Sequence, residues 1–244
     1  MLIITYNEEE MLEDCLESVT WADEIVVVDS DSEDKTREIA QNYTDKIYIR
    51  DFDNFSNQRN FGLDKIKTDW VLVLDADERV TAELAAEINK VISNKSNQER
   101  DLYQLPRKNF FLGRWIKYGG WYPDYTDRLF KNTADIRYTG DVHESPNFTG
   151  KKGRLEEHII HYTYRDIAHY IKKINHYSTL NAIESSKKPS IFYVFIRPVW
   201  EFFQVYFLKR GFLLGKEGLI FAMISSVDRF LKYAKLWEKN QLKS

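Results

Sequence analysis

The sequence of 244 residues predicts an α/β fold, a mostly parallel sheet with helices on both faces, followed by a C-terminal helical appendage. Through the first hundred residues, short β-rich runs alternate with segments of helical periodicity. These runs are apolar at consecutive positions, which is typical of parallel strands buried on both faces. Beyond residue 187 the chain is rich in aromatic and basic residues, with apolar positions at helical spacing.

Four strands are predicted in the first hundred residues, at 2–5, 25–28, 47–49 and 71–74. A helix follows each of them. The first carries Leu12 and Leu16 inward, and the second begins after Asp34. The third covers 56–66, and the fourth begins after Thr81. Later in the chain we expect a strand at 102–111, an aromatic loop at 119–123 and helices from about 165 to 239.

The charge distribution divides the chain. The net charge is -3, but residues 1–186 contribute -10 (24 Lys+Arg against 34 Asp+Glu) and residues 187–244 contribute +7 (11 against 4). The acidic body argues against a nucleic-acid partner. The basic aromatic tail favours either a helical lid or dimer interface, or an interfacial anchor on anionic lipid. Charged residues such as Arg197 and Glu201 interrupt its apolar stretches, so no membrane-spanning helix is expected.

The cysteine and histidine residues bear on the compartment of the protein and on whether it binds structural zinc. The single cysteine, Cys15, excludes an intrachain disulfide and indicates a reducing compartment. The start of the chain becomes acidic after a few apolar residues, so we expect no secretory signal. All five histidines lie after position 140 and match no common zinc spacing. A cytoplasmic protein without a structural zinc site is the expectation.

Carboxylates follow two of the predicted strands. Asp29 ends the run at 25–28, and Asp75 and Asp77 follow the run at 71–74. Parallel sheets bind ligands beyond the carboxyl ends of their strands, and side chains i and i+2 of an extended chain point the same way. Two hard oxygen ligands suit Mg²⁺ or Mn²⁺ with a substrate phosphate. The alternative is that these carboxylates only cap the following helices.

Four motifs in order resemble family 2 glycosyltransferases, which are nucleotide-sugar enzymes of the Rossmann-like GT-A fold: Thr5-Tyr6-Asn7-Glu8, Val28-Asp29-Ser30, Gln58-Arg59-Asn60-Phe61-Gly62 and Asp75-Ala76-Asp77. Further segments are similar to the subgroup that builds lipopolysaccharide cores, including the β-1,4-glucosyltransferase type: Gly120-Trp121-Tyr122-Pro123-Asp124, Arg128-Leu129-Phe130, Val142-His143-Glu144 and His161-Tyr162-Thr163-Tyr164. The resemblance implies a catalytic domain at 1–164, with a nucleotide-sugar half at 1–100 and an acceptor half at 101–164. The amphipathic helical region is then 165–244.

The resemblance also implies residue roles. The nucleotide-sugar site takes Thr5, Tyr6, Asn7, Glu8, Asp29, Arg59, Asp75 and Ala76. Asp77 and His143 are the implied metal contacts. Asp124 is the implied catalytic base, because transfer needs a group that takes the acceptor proton. Since the sequence departs from the family's commoner Glu-Asp form here, Glu144 and Asp127 remain alternative bases.

The predicted function is therefore an inverting, metal-dependent transfer of a hexose, with glucose favoured, from a UDP-sugar to a saccharide acceptor of the bacterial envelope, such as the lipopolysaccharide core. Mg²⁺ or Mn²⁺ is the expected cofactor, and the inner face of the cytoplasmic membrane is the expected location. Two alternatives stay open. One is a phosphatase resembling the haloacid dehalogenases, and the other is a non-catalytic nucleotide-sugar-binding scaffold.

Overall fold

A computed structural model describes residues 1–93, 100–140, 144–164 and 166–242. Its strands are β1 (Leu2–Thr5), β2 (Val26–Asp29), β3 (Ile47–Ile49), β4 (Trp70–Asp75), β5 (Glu78–Val80), β6 (Leu102–Phe111), β7 (Arg114–Trp115), β8 (Asp124–Lys131), β9 (Tyr138–Thr139), β10 (Ser145–Pro146), β11 (Lys152–Arg154) and β12 (Ile159–Tyr164). Its α-helices are α1 (Leu12–Glu17), α2 (Thr36–Gln41), α3 (Phe55–Leu63), α4 (Ala82–Ser93), α5 (Ile167–Glu184), α6 (Ile191–Phe203) and α7 (Gly215–Gln241). A π-helical segment (Gln204–Leu208) and a 3₁₀ helix (Gly211–Leu214) join α6 to α7.

The main sheet has a parallel and an antiparallel part. Its strand order is β3-β2-β1-β4-β8-β6-β12-β5, with β7 and β11 paired to β6. The strands β3, β2, β1 and β4 are parallel to one another, whereas β8 pairs antiparallel with both β4 and β6. The carboxyl ends of the parallel strands thus lie at one edge, as the strand–helix alternation predicts.

Alternate side chains of the parallel strands enter two cores. Ile3 of β1 packs in a cluster with Leu16 of α1 and Leu84 of α4. Leu2, its neighbour on β1, packs in a second cluster with Leu63 of α3. Because successive strand residues point to opposite faces, this division means that helices cover both faces of the sheet. The predicted cap at Thr81 is confirmed, since its hydroxyl accepts the Leu84 amide at 3.2 Å.

The core beneath β4 also contains the single cysteine. Cys15 of α1 is fully buried. Its thiol lies 3.6 Å from the carbonyl oxygen of Asp75, the last residue of β4. Burial raises the pKa of the Cys15 thiol far above its ordinary value, and nearby carboxylates add to the shift.

The chain forms two compact units. The first comprises Met1–Arg107 and Asp124–His161, and the second comprises Lys108–Pro123 and Tyr162–Ser244. The second unit has its own core, which includes Phe111, Phe221 and Ile224. The prediction of a helical region at 165–244 corresponds to α5, α6 and α7. Arg165, with which the first of these helices was expected to begin, lies outside the described residues.

One helical stretch has the length and composition of a membrane span among the residues that the structure describes. It runs over Ile191–Leu208, with a mean hydropathy of 1.3, and 22% of it is buried. The sequence argument against a span rested on the two charges in this stretch, Arg197 and Glu201. In the structure Glu201 is buried, and its carboxylate accepts a hydrogen bond from Arg229 of α7 at 3.1 Å. Polar contacts therefore fix one side of α6 to the protein.

Gly62 of α3 marks the closest approach between a helix and the sheet. A Cβ at this position would lie 2.2 Å from Leu2 Cδ1 and 3.0 Å from Val28 Cγ2. We expect Gly62→Ala to lower the free energy of unfolding by about 1–3 kcal/mol, because overpacking outweighs the helix propensity gained. Thermal unfolding measures the change. Lys90→Ala on the exposed face of α4 is the control, and equal stability of the two variants would contradict the packing argument.

Candidate functional site

Three residues of the predicted nucleotide-sugar site end neighbouring parallel strands. Thr5 of β1 is the register partner of Asp29 of β2. Ile4, which precedes Thr5, is the partner of Asp75 of β4. The hydroxyl of Thr5 is buried and has no hydrogen-bond partner in the described part of the chain. The sheet register therefore brings these predicted residues together at one edge.

The loop after β1 is locked to the loop after β2. The Asn7 amide donates to Ser32 Oγ at 2.9 Å, and Asn7 Oδ1 accepts the Glu33 amide at 2.9 Å. The Glu8 amide donates to Thr36 Oγ1 at 2.8 Å. Asn7 has a positive φ of 53°, a conformation that asparagine tolerates better than most residues. These bonds give the first motif a defined shape.

Within these loops, Asp29 and Tyr6 have contrasting environments. Asp29 is fully buried, and its carboxylate accepts hydrogen bonds from the Ser32 amide at 2.8 Å and the Ser32 hydroxyl at 2.6 Å. Tyr6 is 56% exposed. Asp29 therefore positions the loop that follows β2, while the Tyr6 ring is available to a ligand.

Asp75 lies between two buried arginines. Arg59 of α3 donates to Asp75 Oδ1 at 2.7 Å, and Arg128 of β8 donates to Asp75 Oδ2 at 2.5 Å. Burial disfavours the ionised carboxylate, but the charges of Arg128 and Arg59 outweigh it and hold the pKa of Asp75 well below its usual range. Asp75 is consequently ionised, and both of its oxygens are engaged by protein groups.

These pairs belong to a longer chain of alternating charges. Arg128 also donates to Glu78 at 2.9 Å, and Arg107 lies 3.2 Å from the same Glu78 oxygen. Arg107 in turn holds Asp124 at 2.8 Å. Glu78 is fully buried, so both guanidinium groups are needed to offset its charge.

At the other end of this chain, Arg59 donates to Glu144 at 2.5 Å. Four carboxylates and three guanidinium groups thus alternate without a break: Glu144, Arg59, Asp75, Arg128, Glu78, Arg107 and Asp124. We call this set the charge chain. It joins Asp124 and Glu144, two of the three candidate bases, to the end of β4.

The three candidate bases differ in environment. Asp124 is the cross-strand partner of Arg107, and its side chain is 29% exposed. Asp127 is 12% exposed, and its two oxygens accept hydrogen bonds from Gln104 and Lys152. Glu144 is 17% exposed. The carboxylate of Asp124 is therefore the most accessible of the three.

Asp77 sits in a turn rather than in an extended strand. Ala76 and Asp77 connect β4 to the short strand β5, so the extended geometry assumed for Asp75 and Asp77 ends at Asp75. Ala76 is buried. Asp77 Oδ2 lies 3.4 Å from Nε2 of His161, on β12. The Asp77 side chain is 20% exposed, and the Asp75 side chain, which is paired with two arginines, is 30% exposed.

The donor chemistry around Asp77 fits the divalent cation that the family resemblance implies. Mg²⁺ and Mn²⁺ bind through one or two carboxylates and leave further positions to water and substrate phosphate. Among the described residues there is no group of three or more His, Cys, Asp or Glu side chains arranged around a metal position. Asp77 would hold the ion, with His161 beside it. His143, the other predicted metal contact, lies outside the described residues.

Sequence reasoning missed four residues of this site: Glu78, Arg107, Arg128 and His161. A signal existed for two of them, because Arg128 and His161 each open a motif of the family resemblance. Glu78 directly follows Asp77 in the sequence. Arg107 had no such signal, since only the pairing of β6 with β8 brings it to Asp124.

The aromatic loop belongs to the second unit. Trp121 packs edge-on against Phe221 of α7, with ring centroids 4.4 Å apart. Trp115 packs edge-on against Tyr122 at 5.2 Å, and the ammonium groups of Lys108 and Lys117 lie over the Trp115 ring. Trp121 therefore packs against the core of the second unit.

Comparisons with known proteins give consistent matches. A family model described as glycosyl transferase family 2 matches residues 1–175. An uncharacterized glycosyltransferase of Rickettsia bellii is 33% identical over 97% of this chain and 85% of its own length. The lipopolysaccharide core biosynthesis glycosyltransferase LpsC of Rhizobium meliloti is 29% identical over 99% of this chain and 93% of its own length.

The fold has a counterpart among solved structures. The mannosyltransferase PcManGT from Pyrobaculum calidifontis, in complex with GDP-Man and Mn²⁺, matches with a TM-score of 0.50 and 14% identity. The match covers 93% of this chain and 72% of that one. At this identity the likeness concerns the fold alone. The predicted GT-A fold, with its C-terminal helices, is confirmed.

The charge chain predicts a pH-dependent contribution to stability. In the unfolded chain the pKa of Asp75 is about 3.9, and in the folded protein it is held lower. The ionised carboxylate therefore stabilises the fold fully above about pH 5, and this contribution is lost as the pH falls through the folded pKa. We expect Asp75→Asn to cost about 3 kcal/mol at neutral pH, the low end for a buried pair because the side chain is 30% exposed.

Chemical denaturation at a series of pH values measures the contribution of ionised Asp75 to the free energy of unfolding. The difference in unfolding free energy between the wild type and Asp75→Asn should shrink below about pH 4. Asp45→Asn, at an exposed carboxylate, is the control and should change little. A difference that stays constant as the pH is lowered would contradict the proposed cause.

Proposed function

The chain belongs to glycosyl transferase family 2, and on that premise we propose that it catalyses an inverting, metal-dependent transfer of a hexose from a UDP-sugar to a saccharide acceptor. The observation that carries the proposal is the charge chain. It links the end of β4, where the donor diphosphate is expected, to Asp124, the candidate base. A glycosyltransferase must hold the donor diphosphate and the catalytic base in a fixed relative position, because the acceptor oxygen attacks as the nucleotide leaves.

The donor site is proposed at the carboxyl ends of β1, β2 and β4. Thr5, Asn7 and Glu8 would line the nucleoside pocket, and Tyr6 offers an exposed ring on which a base can stack. Asp29 keeps the adjoining loop in place and is the proposed contact for the base. The family resemblance favours uracil, and glucose is the favoured sugar. Because the solved relative binds GDP-Man, the donor base is open to direct test.

Asp124 is proposed to remove the proton from the attacking acceptor hydroxyl. The acceptor oxygen forms a bond to the anomeric carbon while the bond from that carbon to the diphosphate oxygen breaks, so the configuration inverts. The proton passes to Asp124 Oδ, and the electron pair leaves with the nucleotide. Arg107 orients this carboxylate through contacts at 2.8 and 2.9 Å. A metal ion bound at Asp77 would neutralise charge on the leaving diphosphate.

The acceptor is proposed to be a saccharide of the cell envelope. LpsC, which is similar over almost the full length, is described as a lipopolysaccharide core biosynthesis glycosyltransferase. We place the reaction in the cytoplasm, in peripheral contact with the anionic inner face of the membrane. Membership of a glycosyltransferase family favours sugar transfer over both the phosphatase and the non-catalytic scaffold.

The base assignment predicts a selective loss of turnover. We expect Asp124→Asn to lower the transfer rate about 10²- to 10⁴-fold, because an asparagine cannot take the proton from the attacking hydroxyl group. Binding of the donor, followed by thermal shift, should be retained. Asp127→Asn is the matched control on the same strand and should keep most of its activity, since its carboxylate is engaged by Gln104 and Lys152. Normal turnover by Asp124→Asn would refute the assignment.

The metal assignment predicts a selective loss of donor binding. We expect nucleotide sugars to raise the unfolding temperature of the wild type when Mn²⁺ or Mg²⁺ is present, because a ligand of the native state stabilises it. Asp77→Asn should lose the metal-dependent part of this shift, and His161→Gln should weaken it. The screen includes UDP- and GDP-sugars. A shift that is the same with and without metal in the wild type would overturn this part of the proposal.

A further inference from the structure

Helix α6 is amphipathic, but its apolar side is exposed to solvent and its polar side is packed against the protein. The exposed fractions of Phe192, Phe195 and Val199 are 66%, 63% and 65%. On the opposite side, Glu201 is buried against α7 and bonded to Arg229. A helix that served only as core cover would place these sides the other way round. Large apolar patches left exposed mark an interaction site.

A groove runs along this outward side. Its volume is about 700 Å³, and it is lined by side chains of α6 alone, including Phe192, Ile196, Val199, Trp200 and Phe203. These residues and Arg197 form what we call the α6 surface. Apolar exposure continues beyond the helix at Leu208, Phe212 and Leu213. The patch is therefore extended along the chain rather than confined to one turn.

Arg197 is part of the lining of this apolar groove. Its Nε is buried and makes no hydrogen bond within the described part of the chain, where no acidic group lies within ion-pair distance of it. Its guanidinium is 5.8 Å from the ring of Tyr233 on α7. A guanidinium in an apolar lining is best matched by a phosphate, with which it forms charge-assisted hydrogen bonds.

Cations also flank the α6 surface at both ends. Lys187 and Lys188 are exposed just before α6, and Arg210 and Lys216 are exposed just after the π-helical segment. Positive charge around an apolar stripe complements a surface that has anionic headgroups over a hydrocarbon interior. A second copy of the chain fits less well, because symmetric pairing would bring these cations toward one another. A spanning orientation would bury the Glu201–Arg229 side in lipid.

We propose that the α6 surface docks in the plane of an anionic phospholipid membrane, with its aromatic side chains at the headgroup boundary and Arg197 bound to a lipid phosphate. This inference deepens the membrane location in the proposed function and rests on it. It names the surface, the orientation and the headgroup charge. The helix lies along the interface, and its polar side stays packed on α7.

Flotation of the full chain with lipid vesicles tests the proposal. We expect binding to vesicles of phosphatidylcholine with phosphatidylglycerol, and weaker binding to phosphatidylcholine alone. The double variant Phe192→Ser/Val199→Ser should lower partitioning about tenfold, because both side chains are exposed in the free protein and would be buried in lipid. Arg197→Gln should lower partitioning about fivefold on anionic vesicles only. Ile49→Ser and Arg100→Gln, at exposed positions of the first unit, are the matched controls.

Four outcomes would overturn the inference. The first is failure of the intact chain to float with anionic vesicles at low salt. The second is equal binding to neutral and anionic vesicles, with Arg197→Gln unchanged. The third is resistance to extraction by alkaline carbonate, which indicates a span. The fourth is a solution dimer that Phe192→Ser/Val199→Ser dissociates. Metal-dependent stabilisation by a nucleotide sugar, measured on the same samples, shows whether the proposed transferase activity stands independently of the result.

Discussion

The carboxyl edge of the parallel strands is organised around Asp75, which lies between Arg59 and Arg128. Burying a carboxylate is expensive unless it is paired, and here two guanidinium groups pair with one side chain. Each arginine then needs a second anion, which Glu144 and Glu78 supply. The alternation continues until it reaches Asp124, whose carboxylate is partly exposed to solvent. The ion pairs that begin at this one partly buried carboxylate thereby connect α3, β4, β6 and β8.

The carboxylates at this edge of the sheet differ in their partners. Asp29, Asp75, Glu78 and Asp127 are held by protein donors. Asp124 lies at one end of the charge chain and is paired with Arg107, whereas Asp77 lies outside the chain, beside His161. Within the charge chain, each guanidinium group lies between two carboxylates.

The local part of the fold could be predicted from sequence, whereas the contacts between distant segments could not. The four parallel strands and the helices after them follow from apolar periodicity, and Thr81 follows from capping chemistry. The turn at Ala76 and the strand β5 were missed, because a two-residue reversal leaves no trace in hydrophobic patterning. Arg107 and Glu78 were missed because their roles exist only once β6, β8 and β5 assemble. His161 reaches Asp77 from β12, far along the chain, and its spacing from other ligands is uninformative.

The buried cysteine next to β4 can be used as a probe of local opening of the structure. The Cys15 thiol touches the Asp75 carbonyl oxygen, is shielded from solvent, and has a raised pKa that keeps it protonated. A thiol in this state reacts with alkylating reagents only when the surrounding structure opens. Because it is the single cysteine in the chain, each modification event reports an opening at one place. The rate at which it is labelled in the natural sequence therefore measures how often the structure opens at the end of β4.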